Sequence, residues 1–337
     1  MTPAQARKKA TELLAKVKLG GDPATEKRER REKDSLSLRG VINQFLSHKT
    51  GVRRNTMEAL RRYLETGPYL GSLRGMPVDR ITRKDVASRL LAVSKDHGVR
   101  TALGFRSAVS SLFSWAMQTG LIEHNPIIGA YKPETPKPRE RTLSNAELAA
   151  IWKNLADDDY GKVVKLLILS GARRDEIGEM RWSEFSPDMT AWALPATRSK
   201  NKRAHALPIT PLMLEIVESV PHRYEIDLLF GMRGRGFSQW GPGKRALDGK
   251  INLPPWQVRD IRRSVSTGMN DIGIMPHVVE RILGHSIGGV HATYNRSIYA
   301  NEVRDAMLRW STHIAEIIKG GKRKVVAFEQ RASASTP

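Results

Sequence analysis

Leu283-Gly284-His285, followed by Ala292-Thr293-Tyr294-Asn295, decides how this chain is read. The tyrosine stands nine residues after the histidine. A phenol near a phosphate-binding imidazole, with arginines to spare, is a natural nucleophile toward a phosphodiester. Leu-Gly-His alone means little. The weight comes from three upstream segments, Gly171-Ala172-Arg173-Arg174-Asp175-Glu176, Thr197-Arg198-Ser199-Lys200-Asn201 and Arg259-Asp260-Ile261-Arg262-Arg263. They supply cations, and phosphoryl transfer is chiefly positioning plus electrostatic stabilisation, which arginine forks and a lysine can provide.

The composition suits that chemistry. Lys and Arg total 56 against 35 Asp and Glu, a formal charge of +21 and a pI near 10.3. Such an excess favours a polyanionic partner through counterion release, although a ribosomal or merely soluble basic protein carries similar charge. The 337 residues include no cysteine, which excludes disulfides, zinc–thiolate sites and cysteine nucleophiles. No apolar run approaches the roughly 20 residues that span a bilayer, and the amino end lacks the apolar core of a signal peptide. The expected place is the cytoplasm, at the chromosome. No histidine or carboxylate spacing suggests a metal, and no cofactor is expected.

Length allows two domains. Residues 4 to 18 read as a helix stopped by Gly20-Gly21 and Pro23, and the charged run Glu26 to Asp34 as a solvated helix or linker. From Leu36 to Asn125 four amphipathic helices are expected. The first buries Leu38, Val41, Ile42, Phe45 and Leu46; the second starts at Asn55, with Glu58 completing a capping box, and turns Met57, Leu60, Tyr63 and Leu64 inward. The third starts at Thr82 and buries Val86, Leu90 and Leu91; the fourth runs from about Arg100 to Thr119 with Leu103, Val109, Leu112, Phe113 and Ala116 inward. Residues 131 to 141 hold three prolines without apolar periodicity and are expected to be an extended, exposed linker. Ser144 and Glu147 then cap a helix with Leu148, Ile151 and Trp152 inside. A buried helix over Val163 to Leu169 is followed by β-prone runs Ala191 to Leu194 and His205 to Ile209. The glycine-rich stretch Gly231 to Gly243 lacks the strand and helix of a phosphate loop. Glu302 to Ile318 is a last amphipathic helix.

Taken in order, these motifs resemble the tyrosine recombinase family, the phage and genomic-island integrases, over about residues 36 to 318. The resemblance implies a mainly α fold, in which a helical core-DNA-binding domain and an α-rich catalytic domain with a small antiparallel sheet close as a C-shaped clamp on DNA. It implies residues 1–34 as a remnant of the arm-binding region, 35–130 as the core-binding domain, 131–141 as linker and 142–318 as the catalytic domain. Residues 319–337 form a tail that either docks on a neighbouring protomer or folds back. The β-rich remainder of an arm-binding domain is not found in this sequence: either the chain is shortened, or it is a form that uses only core sites, for which weak dependence on accessory arm sites is expected.

The resemblance also implies roles. Arg173 and Arg262 grip the scissile phosphate, Glu176 supports the cations, and His285 hydrogen-bonds a phosphate oxygen. Tyr294 attacks to give a 3′-phosphotyrosyl enzyme, with Tyr299 structural. Lys200, with Lys202 as a rival, protonates the leaving 5′ oxygen. Arg259 stands where the family usually has histidine, and arginine cannot be a general base. Clustered cations would then have to favour the phenolate. His205, His277 and His291 read as packing or surface groups. The implied partners are duplex DNA with paired core sites, a homotetramer, and a DNA-bending host protein or excisionase. The expected activity is site-specific recombination through a four-way junction, independent of metal and ATP. A catalytically impaired DNA-binding remnant and a type IB topoisomerase-like nicking-closing enzyme are its rivals.

Overall fold

The computed structural model describes residues 2–5, 7, 8, 10, 11, 37–137, 139–223, 226–232, 234–285 and 299–320. The chain forms two compact units, Met1–Pro138 and Arg139–Pro337. Residues 3–5, 7, 8, 10 and 11 are helical. The remainder of the helix expected to residue 18, the charged run 26 to 34, Tyr294, His291 and residues 321–337 of the tail lie outside the described residues.

In the first unit, α1 (Leu38–His48) buries Leu38, Val41, Ile42 and Phe45, and Ser37 caps it by accepting from the Gly40 amide. Helix α2 (Arg54–Arg61) begins one residue before the expected start. Asn55 therefore sits inside the first turn, and Glu58 accepts from Arg54 Nε at 2.8 Å rather than closing a capping box. A π-turn, Arg62–Thr66, continues it and buries Leu64. Helix α3 (Arg83–His97) carries a complete Thr82–Asp85 capping box and buries Val86, Leu90 and Val93. Leu91 is half exposed, at 51%. Its neighbours at i−1 and i+2 take the inward stripe, and the 3.6-residue period leaves Leu91 off it. Helix α4 (Val99–Gln118) packs along α3 and buries seven residues, Phe105, Leu112 and Phe113 among them, with Leu103 only half-buried. Each such large apolar side chain stabilises the unit by about 1.5–3 kcal/mol. Trp115 packs against Phe45, ring centroids 5.6 Å apart.

The expected linker is irregular and mostly exposed over its described residues, and the second unit opens on its fastened end. Arg139 donates to the Pro255 carbonyl at 2.9 Å, Arg141 pairs with Glu147, and the Leu143 amide donates to Ser264 Oγ at 2.6 Å. Helix α5 (Asn145–Asn154) has the Ser144–Glu147 capping box and buries Leu148 and Ile151. Helix α6 (Asp159–Ser170) is buried nearly all round and forms the hub of the unit. The short α7 (Arg174–Gly178) leads to the antiparallel pair β1 (Ala191–Leu194) and β2 (His205–Pro208), in register Leu194 opposite His205. Helices α8 (Pro211–Glu218), α9 (Trp240–Asp248), α10 (Val258–Asp271) and α11 (Pro276–Ile282) follow. A helix thus does begin inside the glycine-rich stretch, where none was expected; Gly243 lies within it because any Cβ there would meet the Tyr160 ring at 2.3 Å. The last helix, α12 (Ala300–Lys319), buries Val303, Met307, Trp310 and Ile314 and ties itself to α6 through Trp310 Nε1 and the Ile168 carbonyl, 2.9 Å. No helix among the described residues is long and apolar enough to cross a membrane.

Candidate active site

Arg262 organises the site. It projects from α10, and its guanidinium donates to the Gly171 carbonyl through Nη1 (2.8 Å) and to the Leu283 carbonyl through Nη2 (2.6 Å), with His285 Nε2 2.8 Å from Nη2. One planar fork thereby joins the turn before Arg173 to the turn that carries His285. Burial and the nearby Arg173 together lower its pKa to about 10, against the opposing pull of Glu176 and Glu280. At pH 7 it is still a cation.

Gly171 makes the first turn possible. Its φ is +62°, and a Cβ would lie 2.9 Å from both Leu283 and Val265. Glycine accepts both the left-handed backbone and the close approach. The turn ends α6 and sets Arg173 at the start of α7, where Glu176 accepts from the Arg173 amide (2.8 Å) and from its Nη1 (2.8 Å). Arg174 instead pairs with Asp175 and lies over the Trp240 ring at 5.3 Å.

His285 has defined proton positions. Its Nδ1 lies 2.7 Å from Glu280 Oε2. A carboxylate only accepts and a guanidinium only donates, so Nδ1 carries the hydrogen and Nε2 is the acceptor facing Arg262. To hydrogen-bond a phosphate oxygen, Nε2 must first gain a proton, with Glu280 as its counter-charge.

Arg173, Glu176, Leu194, Asn201, His205 and His285 are among the residues that line one cleft of about 80 Å³. His205 forms part of this wall. Its Nε2 lies 2.9 Å from the Ile282 carbonyl, which satisfies it as expected of a packing group, and its ring sits 3.4–3.6 Å from where a Cβ on Gly284 would be. Burial lowers its pKa, as do Arg262 and Arg173, while the carbonyl contact and Glu176 act the other way. It is a neutral imidazole at pH 7. Glu280 and His205 were not singled out as site residues in the sequence; a carboxylate five positions before His285 and a histidine opening β2 were the only signals.

Lys200 and Lys202 are both exposed on the turn between β1 and β2, Lys202 with φ +52°. Arg259 is exposed in the first turn of α10 and makes no ion pair among the described residues. Arg263 pairs with the buried Asp260 at 3.2 Å. Tyr299, at the start of α12, packs near His277 and Arg281. Among the described residues no group of histidines and carboxylates is arranged to hold a metal ion.

The phage integrase family matches residues 141–301, and the phage integrase central domain matches residues 39–130. Together they span about three quarters of the chain. The chain belongs to the phage integrase family of tyrosine recombinases. Prophage integrase IntZ of Escherichia coli K12 is 24% identical over 335 residues, 95% of this chain and 82% of IntZ. The tyrosine recombinase XerC of Bifidobacterium longum strain DJO10A is 31% identical over 139 residues, 38% of this chain and 39% of XerC. Among solved structures, a lambda integrase tetramer bound to a Holliday junction has a TM-score of 0.59 at 18% identity, covering 84% of this chain and 88% of that one. The fold is that of these integrases: mainly helical, with a small antiparallel sheet in the second unit.

Proposed function

We propose that this chain is a site-specific DNA recombinase, an integrase of a mobile genetic element, that cleaves and rejoins duplex DNA through a 3′-phosphotyrosyl intermediate and a four-way junction. The observation that carries this reading is the Arg262 fork, which gathers the Arg173 and His285 turns, 112 residues apart in sequence, around one cleft. Those are the donors a pentavalent phosphoryl group needs, and they belong to a chain whose +21 charge draws it to DNA.

In this reading the scissile phosphate takes up the donors of Arg173 and Arg262, and the imidazolium form of His285, held by Glu280, adds a third. The surrounding cations favour the Tyr294 phenolate, whose proton leaves to water, and Oη then forms a bond to phosphorus as the bond from phosphorus to the 5′ oxygen breaks; Lys200 Nζ gives that oxygen its proton. Arg259 adds charge near the phosphate but takes no proton from Tyr294. The phosphotyrosyl bond conserves the energy of the cut strand, so rejoining needs no ATP, and the arginines take the place of metal ions. Both units would engage one duplex, four protomers assembling on paired core sites, with a DNA-bending host protein or an excisionase biasing direction at the nucleoid.

The test is a denaturing-gel assay for protein joined to nicked suicide duplexes, drawn from the DNA flanking the gene and from a random pool, in buffer with EDTA and no ATP. A covalent adduct is expected with the wild type and none with Tyr294→Phe, which should still bind duplex. An adduct that persists in Tyr294→Phe sinks the nucleophile assignment; wild-type binding without any adduct replaces the reading with a catalytically inactive DNA-binding protein.

A further inference from the structure

The turn that carries Lys200 is fastened on both sides of the lysine. Two residues before it, Arg198 is held by the buried Glu184, itself fixed by Trp192 Nε1 at 2.9 Å, and Arg198 Nη2 donates to the Glu176 carbonyl at 2.8 Å. One residue after it, Asn201 Nδ2 donates to the Gly284 carbonyl at 3.0 Å, next to His285. Between them Ser199 is buried, at 5%, and backbone bonds Ser199 N to Pro195 O (3.1 Å) and Lys202 N to Ser199 O (3.1 Å) tighten the turn. Arg198 thus ties the turn to the Arg173–Glu176 side of the cleft and Asn201 to the His285 side. Lys200 itself is exposed between the two ties.

The two ties differ in strength. The Arg198 tie is a largely buried ion pair joined to a backbone carbonyl, and removing one partner of such a pair is structurally costly. The Asn201 tie is one exposed amide–carbonyl bond, small in stability terms but decisive for where a flexible side chain next to it can reach.

We propose that Asn201 is a positioning residue for proton transfer: its bond to the Gly284 carbonyl latches the Lys200 turn over the phosphate cleft so that the ammonium reaches the leaving 5′ oxygen. This rests on the reading of Lys200 as the acid. The latch acts on that proton alone, since Arg173, Arg262 and His285 are held by contacts that do not involve Asn201.

A leaving group that needs no proton isolates the effect. Single-turnover cleavage is compared on suicide duplexes with an ordinary phosphodiester or a 5′-bridging phosphorothiolate at the scissile position mapped by adduct formation, because a thiolate departs without an acid. Asn201→Ala is expected to slow the oxygen substrate about five- to tenfold and to recover to within about twofold of wild type on sulfur. Lys200→Ala is expected to lose roughly a hundredfold or more on oxygen and to recover in the same way, whereas His285→Ala stays slow on both. Equal slowing of Asn201→Ala on both substrates makes the bond a general support of the His285 turn and overturns the proposal, as does wild-type rate on both. If Lys200→Ala is not rescued by sulfur while Lys202→Ala is, the acid has been misassigned and the latch falls with it. Failure of every variant, wild type included, to form an adduct is instead the failure of the recombinase reading.

Discussion

The two sides of the cleft are built by opposite rules. On one side Arg262 is half-buried and spends its donors on two backbone carbonyls and a histidine, and the glycine behind it tolerates no Cβ. On the other, Lys200 and its latch Asn201 stand exposed on a ten-residue connection between two four-residue strands. A group that must complement charge at a fixed point benefits from being immobilised before substrate arrives, because no reorganisation is then required. A group that must deliver a proton to a departing atom needs reach as well as position, and an exposed side chain on a turn tied at Arg198 and Asn201 combines the two.

Replacing the fork tests this contrast most severely. Arg262→Lys keeps the charge but cannot span the Gly171 and Leu283 carbonyls in one plane, and loss of about 10²–10³ in adduct formation is expected. A loss smaller than that of Asn201→Ala would mean the rigid side is not the one that matters. Next in size is Arg259→His. An imidazole can accept the phenol proton where arginine cannot, so cleavage should hold or rise, up to about tenfold; a large loss would show that the cation itself is needed there, at the exposed end of α10.

The smallest effect sharpens the rigid side through pH. Burial and two arginines lower the pKa of His205 in the folded protein, so its neutral form contributes stability that is fully present above the unfolded value of about 6.5 and is lost as pH falls through the folded one. Thermal midpoints of the wild type should therefore fall more steeply between pH 7 and pH 5 than those of His205→Gln, whose amide can still donate to the Ile282 carbonyl. Parallel slopes would mean that His205 is not held neutral against the cleft.

Much of the fold was legible from periodicity and capping. The apolar stripe of α1, the Ser144–Glu147 box and the pairing of β1 with β2 are all local patterns, and each is formed. Where local reading erred, a neighbour within one turn took over: Arg54 drew Glu58 away from Asn55, and Val93 rather than Leu91 completed the inner face of α3. The strap that starts the second unit was legible as irregular but not as fastened, since its partners Pro255 and Ser264 lie more than 100 residues away.

Residue types and their order along the chain already held the inventory of chemistry: Arg173, Lys200, Arg262, His285 and Tyr294, the arginine at position 259, and the +21 charge that favours a polyanionic partner. Those are properties of residue type and spacing, which survive without coordinates. Only the tertiary structure decided that Glu280 sets the tautomer of His285, that His205 walls the cleft and that Asn201 reaches the Gly284 carbonyl. Each of these depends on where a backbone carbonyl or a side chain from another segment lies once α6, α10 and α11 have packed, and hydrogen bonds with tolerances of a few tenths of an ångström leave no trace in sequence spacing.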